Sequence, residues 1–172
     1  AIHAADTLSG LAQNDLVTAY NDAAGRTPTK TGLVALDGLT LAPGVYSGGA
    51  LSLGGTLTLN GGANDVFIFQ ASSTLITGSG SKVLLTGGAT ECNVFWQVAK
   101  SATLNTDSVF VGTIMALTSV TAETRATVSG RLLARNGAVT MDANVITRPT
   151  SCATSGIATP ATPVPSRARF TG

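Results

Sequence analysis

From Leu33 onwards, apolar and polar positions alternate in short stretches punctuated by Gly, Asn, Asp and Ser, a pattern that predicts short strands joined by tight turns. The stretches also repeat, since "VTAETRATVSG" from Val120 is followed by "VTMDANVITRP" from Val139. Stacking "TLTL" at Thr56, "TLIT" at Thr74, "TLNT" at Thr103, "TAET" at Thr121 and "TMDA" at Thr140 gives successive spacings of 18, 29, 18 and 19 residues. A period near 18 is too short for most helical repeats and fits a β-solenoid coil of about three short strands. The long interval contains "GGATEC", Gly87 to Cys92, which reads as a loop inserted into one coil.

Three strand series follow, each with its own environment. "VFIFQ" from Val66, "VFWQV" from Val94, "TIMAL" from Thr113 and "RLLAR" from Arg131 are mostly apolar on both side-chain parities and need cover on both faces. The threonine series alternates: Leu57, Leu75, Leu104, Ala122 and Met141 point inward, leaving Thr56, Thr58, Thr74, Ile76, Thr103, Asn105, Thr121, Glu123, Thr140 and Asp142 outward. The third series, around "VLLT" (Val83), "VFVG" (Val109), "TVSG" (Thr127) and "NVIT" (Asn144), closes each coil towards a Gly or Thr corner.

Ahead of the repeats, "DTLSGLAQNDLVTAYNDAAGR" places Leu8, Leu11, Ala12, Ala19 and Tyr20 near helical spacing, with Asp6 or Thr7 as N-cap and Gly25 as stop signal. This predicts one helix over 6–25, the cover for the apolar strands, whose Phe67, Phe69, Phe95 and Trp96 are then core or helix contacts. Residues 1–152 form one domain with coils over 33–148. From 153 to 172 a Thr, Ala and Pro punctuated stretch without apolar periodicity reads as a flexible tail.

Composition narrows the function. The chain has 172 residues, a formal charge of +1 and only 11% charged residues, so no electrostatic case arises for nucleic acid or an anionic membrane. No apolar run is long enough to span a bilayer and no secretory leader opens the chain, which reads as soluble and already processed. The outward β-branched residues hold few rotamers, giving a stiff, flat, weakly polar face.

The segments "LTLAPGVYSGGALSLGGTLTLNGGANDVFIFQASSTL", "GGATECNVFWQV", "FVGTIMALTSVT" and "GRLLARNGAVTMDANVIT", with "AYNDAAGRT" at the helix end, closely resemble the ice-binding protein family of cold-adapted bacteria, fungi and algae. The cysteine-bearing "ECNVFWQV" and the "RPTSCATSG" ending look most like actinobacterial members. The resemblance covers about residues 4 to 148 and implies a mainly β fold: a discontinuous, right-handed β-solenoid of triangular section with one long helix along a side. Ala42, Pro43, Gly44 and Tyr46 match the family's "APGxY" turn, and Gly130, Arg131, Leu133 and Ala134 its "GRxLA" strand, both structural. Some members carry a Thr-Ala/Gly-x-Thr/Asn ice-binding motif, which Thr121, Ala122 and Thr124 fit, and which Thr74 with Thr77 and Thr103 with Thr106 fit loosely.

With Thr56, Thr58, Asn105 and Thr140 these residues make up the expected ice-binding set. The implied partner is the surface of an ice crystal, bound by a monomeric, secreted protein with no cofactor and no metal. Family members carry strands ahead of the helix that supply further coils, whereas here only "AIHAADT" stands before it.

Rival readings are a carbohydrate-binding or adhesive solenoid and a polysaccharide-degrading enzyme. The latter needs clustered carboxylates. Asp37, Asp65, Glu91, Asp107, Glu123 and Asp142 are scattered, with only Glu123 and Asp142 expected as neighbours on stacked coils. His3 is the single histidine, which argues against histidine catalysis and zinc sites. Arg125, Arg131 and Arg135 fall on the last coils. Cys92 and Cys152 either close a disulfide that ties the chain end to the solenoid, as suits secretion, or stay as free buried thiols.

Overall fold

In a computed structural model that describes residues 6–150 and 152, the alternating stretches become fourteen short strands after one helix, and every strand pairing is parallel. Parallel in-register stacking of short strands builds a three-sided β-solenoid.

The helix face consists of β1 (Lys30–Ala35), the first half of β3 (Gly44–Leu53), β5 (Phe67–Ala71), β8 (Val94–Val98), the second half of β10 (Val109–Ala116) and the second half of β12 (Thr127–Ala134). The second half of β3 continues onto the threonine face with β6 (Leu75–Thr77), β9 (Ala102–Leu104), β11 (Val120–Ala122) and β13 (Val139–Met141). On the third face lie β2 (Thr40–Leu41), β4 (Thr56–Asn60), β7 (Lys82–Thr86), the first halves of β10 and β12, and β14 (Val145–Thr147).

Inward side chains fill the interior in columns. Leu51, Leu75, Ala102 and Val120 make one, and Tyr46, Phe69, Trp96 and Phe110 form a continuous aromatic stack with centroid separations of 5.5, 4.0 and 4.8 Å. The buried Trp96 indole donates to the Val111 carbonyl at 2.9 Å, which satisfies its one polar group. Phe67, Phe69 and Trp96 are therefore core, as expected, and the half-buried Phe95 packs with the helix cluster.

Helix α1 spans Thr7–Gly25, and the Asp6 carboxylate caps it by accepting from the Ser9 amide at 2.8 Å. Its anchors differ from the expected stripe: Leu16, Tyr20 and Ala23 are buried against Ile68 and Met115, whereas Leu8 and Leu11 are more than half exposed. Only the C-terminal half of the helix is tied down. There the Gln70 amide donates to the carbonyls of Ala23 at 2.8 Å and Arg26 at 2.7 Å, and the Gln97 amide donates to the Tyr20 hydroxyl at 2.8 Å.

The corners explain the uneven period. Register-equivalent residues Leu51, Leu75, Ala102, Val120 and Val139 are 24, 27, 18 and 19 residues apart. Early coils pass from the third face to the helix face through longer loops, around residues 61–66 and 87–93, the second holding a 3-10 turn, Glu91–Asn93. Later coils make that passage at one residue, Gly112 and then Gly130. A Cβ on Gly130 would sit 1.8 Å from the Gly112 carbonyl oxygen, so only glycine fits.

The "TLTL" stretch at Thr56 therefore does not stack on "TLIT" at Thr74. β4 pairs with β7, Thr56 opposite Lys82 and Thr58 opposite Leu84, while the strand beneath β6 is the end of β3. The 18-residue interval between those two threonines joins two different faces of the solenoid. Cys92 and Cys152 are joined in a disulfide that fastens the end of the described chain to the 87–93 loop. His3 and the 153–172 tail lie outside the described residues.

Candidate functional site

The threonine face carries three outward ranks, each crossing the coils at the ladder spacing of about 4.8 Å. The middle rank is Ser52, Ile76, Thr103, Thr121 and Thr140, in direct register from strand to strand. A second rank runs from Ala50 inside β3 through Thr74, Ser101, Ser119 and Ala138, which stand just ahead of their strands and whose carbonyls accept ladder bonds from Leu51, Leu75, Ala102 and Val120 at 2.8 to 3.2 Å. The third rank starts bare and ends charged: Gly54 and Gly78, then Asn105, Glu123 and Asp142. A Cβ on Gly78 would lie 3.0 Å from the Gly54 Cα, so the first two positions stay without side chains.

Two adjacent ranks thus present hydroxyls and methyls with no charge between them. Every residue in them other than Ile76 is small. Because β-branched side chains on a parallel ladder keep few rotamers, the hydroxyl positions of Thr74, Thr103, Thr121 and Thr140 are set before anything binds.

Expected site residues separate into four groups. Thr74, Thr103, Thr121 and Thr140 lie on this face, with Asn105 at its edge. Thr77 and Ala122 share the inward parity of Leu75 and Leu104 and are 1% exposed, and the Thr77 hydroxyl accepts the Asn105 amide at 2.9 Å. They present nothing to a ligand. Thr56 and Thr58 belong to the third face, where Thr58 stands opposite Thr40 but the next coil puts Lys82 and Leu84 in register with the pair, so the threonine rank there stops at two residues. Thr106 and Thr124 sit in the corner turns 105–108 and 123–126, beyond the strand plane, and the Thr124 hydroxyl is taken up by the Asp142 carboxylate at 2.5 Å.

Met141, expected to point inward, is 57% exposed on the last described coil, where the column it would join has no further strand. Ser52, Ser101 and Ser119 were missed by reading for threonine alone. Their signal is the triplet small residue, apolar residue, hydroxyl residue, as in Ser101-Ala102-Thr103 and Ser119-Val120-Thr121.

The corner between the threonine face and the third face is a stack of turns. Leu39, Ser81, Ser108 and Ala126 each donate back three residues, and the third turn positions, Gly38, Gly80, Asp107 and Arg125, all have positive φ between 58° and 68°. Arg125 grips Asp107 there. That hydrogen-bonded guanidinium holds the Asp107 carboxyl below its ordinary pKa.

Arg125, Arg131 and Arg135 take different surroundings: the Arg135 guanidinium lies 4.9 Å above the Tyr20 ring, and Arg131 borders a groove of about 900 Å³ beside the first half of α1. That groove is lined mainly by apolar groups such as Leu8, Ala12, Phe95 and Leu132, with Asp15 its one carboxylate. Among the described residues no aromatic ring is exposed as a stacking platform, and no three His, Cys, Asp or Glu side chains are gathered as a metal site.

Residues 1–147 match the family described as ice-binding-like. The chain belongs to the ice-binding-like family. Two relatives, both named ice-binding protein, come from Nostoc sp. (strain HG1), 49% identical over 84% of this chain and 55% of that protein, and from Colwellia sp., 44% identical over 81% and 56%. The chain therefore spans about half the length of these curated relatives. Among solved structures, an ice-binding protein from the Antarctic ascomycete Antarctomyces psychrotrophicus superposes with a TM-score of 0.81 at 39% identity, covering 85% of this chain and 74% of that one. Another, from an Antarctic biological consortium, gives 0.80 at 45% identity, covering 83% and 68%. The ice-binding-like solenoid expected from the sequence is thus the fold observed.

Proposed function

We propose that the chain binds ice through the threonine face, with Ser101, Thr103, Ser119, Thr121 and Thr140 as contact residues. The observation that carries this reading is the pair of adjacent, uncharged, in-register ranks. Their hydroxyls hold a layer of water in an ice-like arrangement, and their methyls restrict how else that water can bond. The ordered layer merges with the crystal, the bound protein curves the growing front, and growth and recrystallisation slow.

The relatives' names support ice as the partner, and no catalytic step is assigned to the chain. The Cys92–Cys152 disulfide supports a secreted setting, and the protein acts as a monomer. The experiment is to cool the folded protein with a single ice crystal in a nanolitre osmometer. A freezing point held below the melting point, with a faceted crystal, supports ice binding; a round crystal with no gap refutes it and turns attention to a glycan screen.

A further inference from the structure

The middle rank of the threonine face holds one residue that is not small. Ile76 stands between Ser52 and Thr103 in the ladder and is 47% exposed, whereas Thr103 and Thr121 are half-buried. Its neighbour in the third rank is Gly78, followed across the ladder by Gly54, so the isoleucine rises over bare backbone. Threonine and isoleucine place a γ-methyl alike, but isoleucine replaces the hydroxyl with an ethyl arm that reaches one bond, about 1.5 Å, further out. A rigid crystal plane does not bend around such a projection.

We infer that Ile76 is the specificity-determining residue of the threonine face, a step that confines the ice seat to the coils of Thr103, Thr121 and Thr140 and leaves Ser52 and Thr74 outside it. This rests on the proposed ice-binding role of the face. Within the seat, Ser101, Ser119 and Ala138 complete the second rank, and Glu123 and Asp142 mark its charged border.

The test compares the full chain with Ile76→Thr, Ile76→Lys and Thr121→Lys by freezing gap, with far-UV dichroism and a thermal melt showing that each variant is folded. Lowering the step lets the seat run over five coils instead of three, so Ile76→Thr widens the gap roughly 1.5- to 2-fold if adsorption scales with contact area. Ile76→Lys keeps most of the gap, because that position is already outside the seat, while Thr121→Lys loses it. An Ile76→Lys variant as inactive as Thr121→Lys, or an Ile76→Thr variant with an unchanged gap, overturns the inference while leaving ice binding by the face intact. Absence of any gap in the parent chain removes the reading on which it stands.

Discussion

Arg125 donates two hydrogen bonds to the Asp107 carboxylate, Nε to Oδ1 at 2.7 Å and a terminal nitrogen to Oδ2 at 2.8 Å, joining the same left-handed turn position on adjacent coils. Two earlier turns use Gly38 and Gly80 at that position, where glycine meets no penalty. The later two place side chains there and bind them together across the rim of the threonine face.

This pair sets an acid limb. Its hydrogen bond and charge hold the Asp107 carboxyl below its unfolded value, so its contribution is complete above that value, about 4, and is lost as pH falls through the folded one. The melting temperature of the parent chain therefore declines relative to Arg125→Gln as pH drops below about 4 at low ionic strength. Both side chains are more than half exposed, so added salt shrinks the difference. A difference between the two proteins that is constant across the whole acid range contradicts this.

Gln70 joins the helix C-terminus to β5 with buried hydrogen bonds to carbonyls that the helix itself leaves unpaired. Substituting Gln70→Leu keeps the bulk and removes the donors, which costs about 1 to 3 kcal/mol. Urea unfolding measures the loss, and amide exchange around residues 20–26 should quicken more than in the coil ladders.

The Cys92–Cys152 disulfide closes a loop across 60 residues of sequence. Loop-closure entropy assigns such a link about 4 kcal/mol as an upper figure, and about 2 to 4 is expected in practice. Reduction, or the Cys92→Ser and Cys152→Ser double variant, should lower the denaturation midpoint by that amount while ice shaping at low temperature persists, since neither cysteine lies on the threonine face.

Much of this architecture is legible in residue order, for definable reasons. Asp6 marks the start of the helix because its capping bond is local, whereas Gly25 is the last helical residue and the C-cap is Arg26 in an extended conformation. The strands around Phe67, Trp96 and Ile114 show that they need two covers because neither parity is polar. Stacking is another matter. "TLTL" at Thr56 and "TLIT" at Thr74 look alike and are one period apart, yet the loop around residues 61–66 that lies between them lengthens the coil and shifts the phase.

The site is less legible than the fold because a three-residue strand has one outward position. In Val120-Thr121-Ala122 only Thr121 faces solvent, so Ala122 of the matched motif turns inside and Thr124 turns the corner. Likewise Thr77 looks like a partner for Thr74 in sequence, but it stands an odd number of positions away and is spent on the Asn105 amide.

If ice binds at the hydroxyl ranks around Thr121, a bulky side chain at that position removes the bound layer. The most direct test is to grow a single-crystal ice hemisphere in a dilute solution of fluorescently labelled parent chain and, in parallel, of Thr121→Tyr, with matched thermal melts. Bright, symmetry-related patches are expected from the parent and a dark hemisphere from the variant. Equal labelling by both proteins contradicts this placement and moves the binding surface to another face of the solenoid.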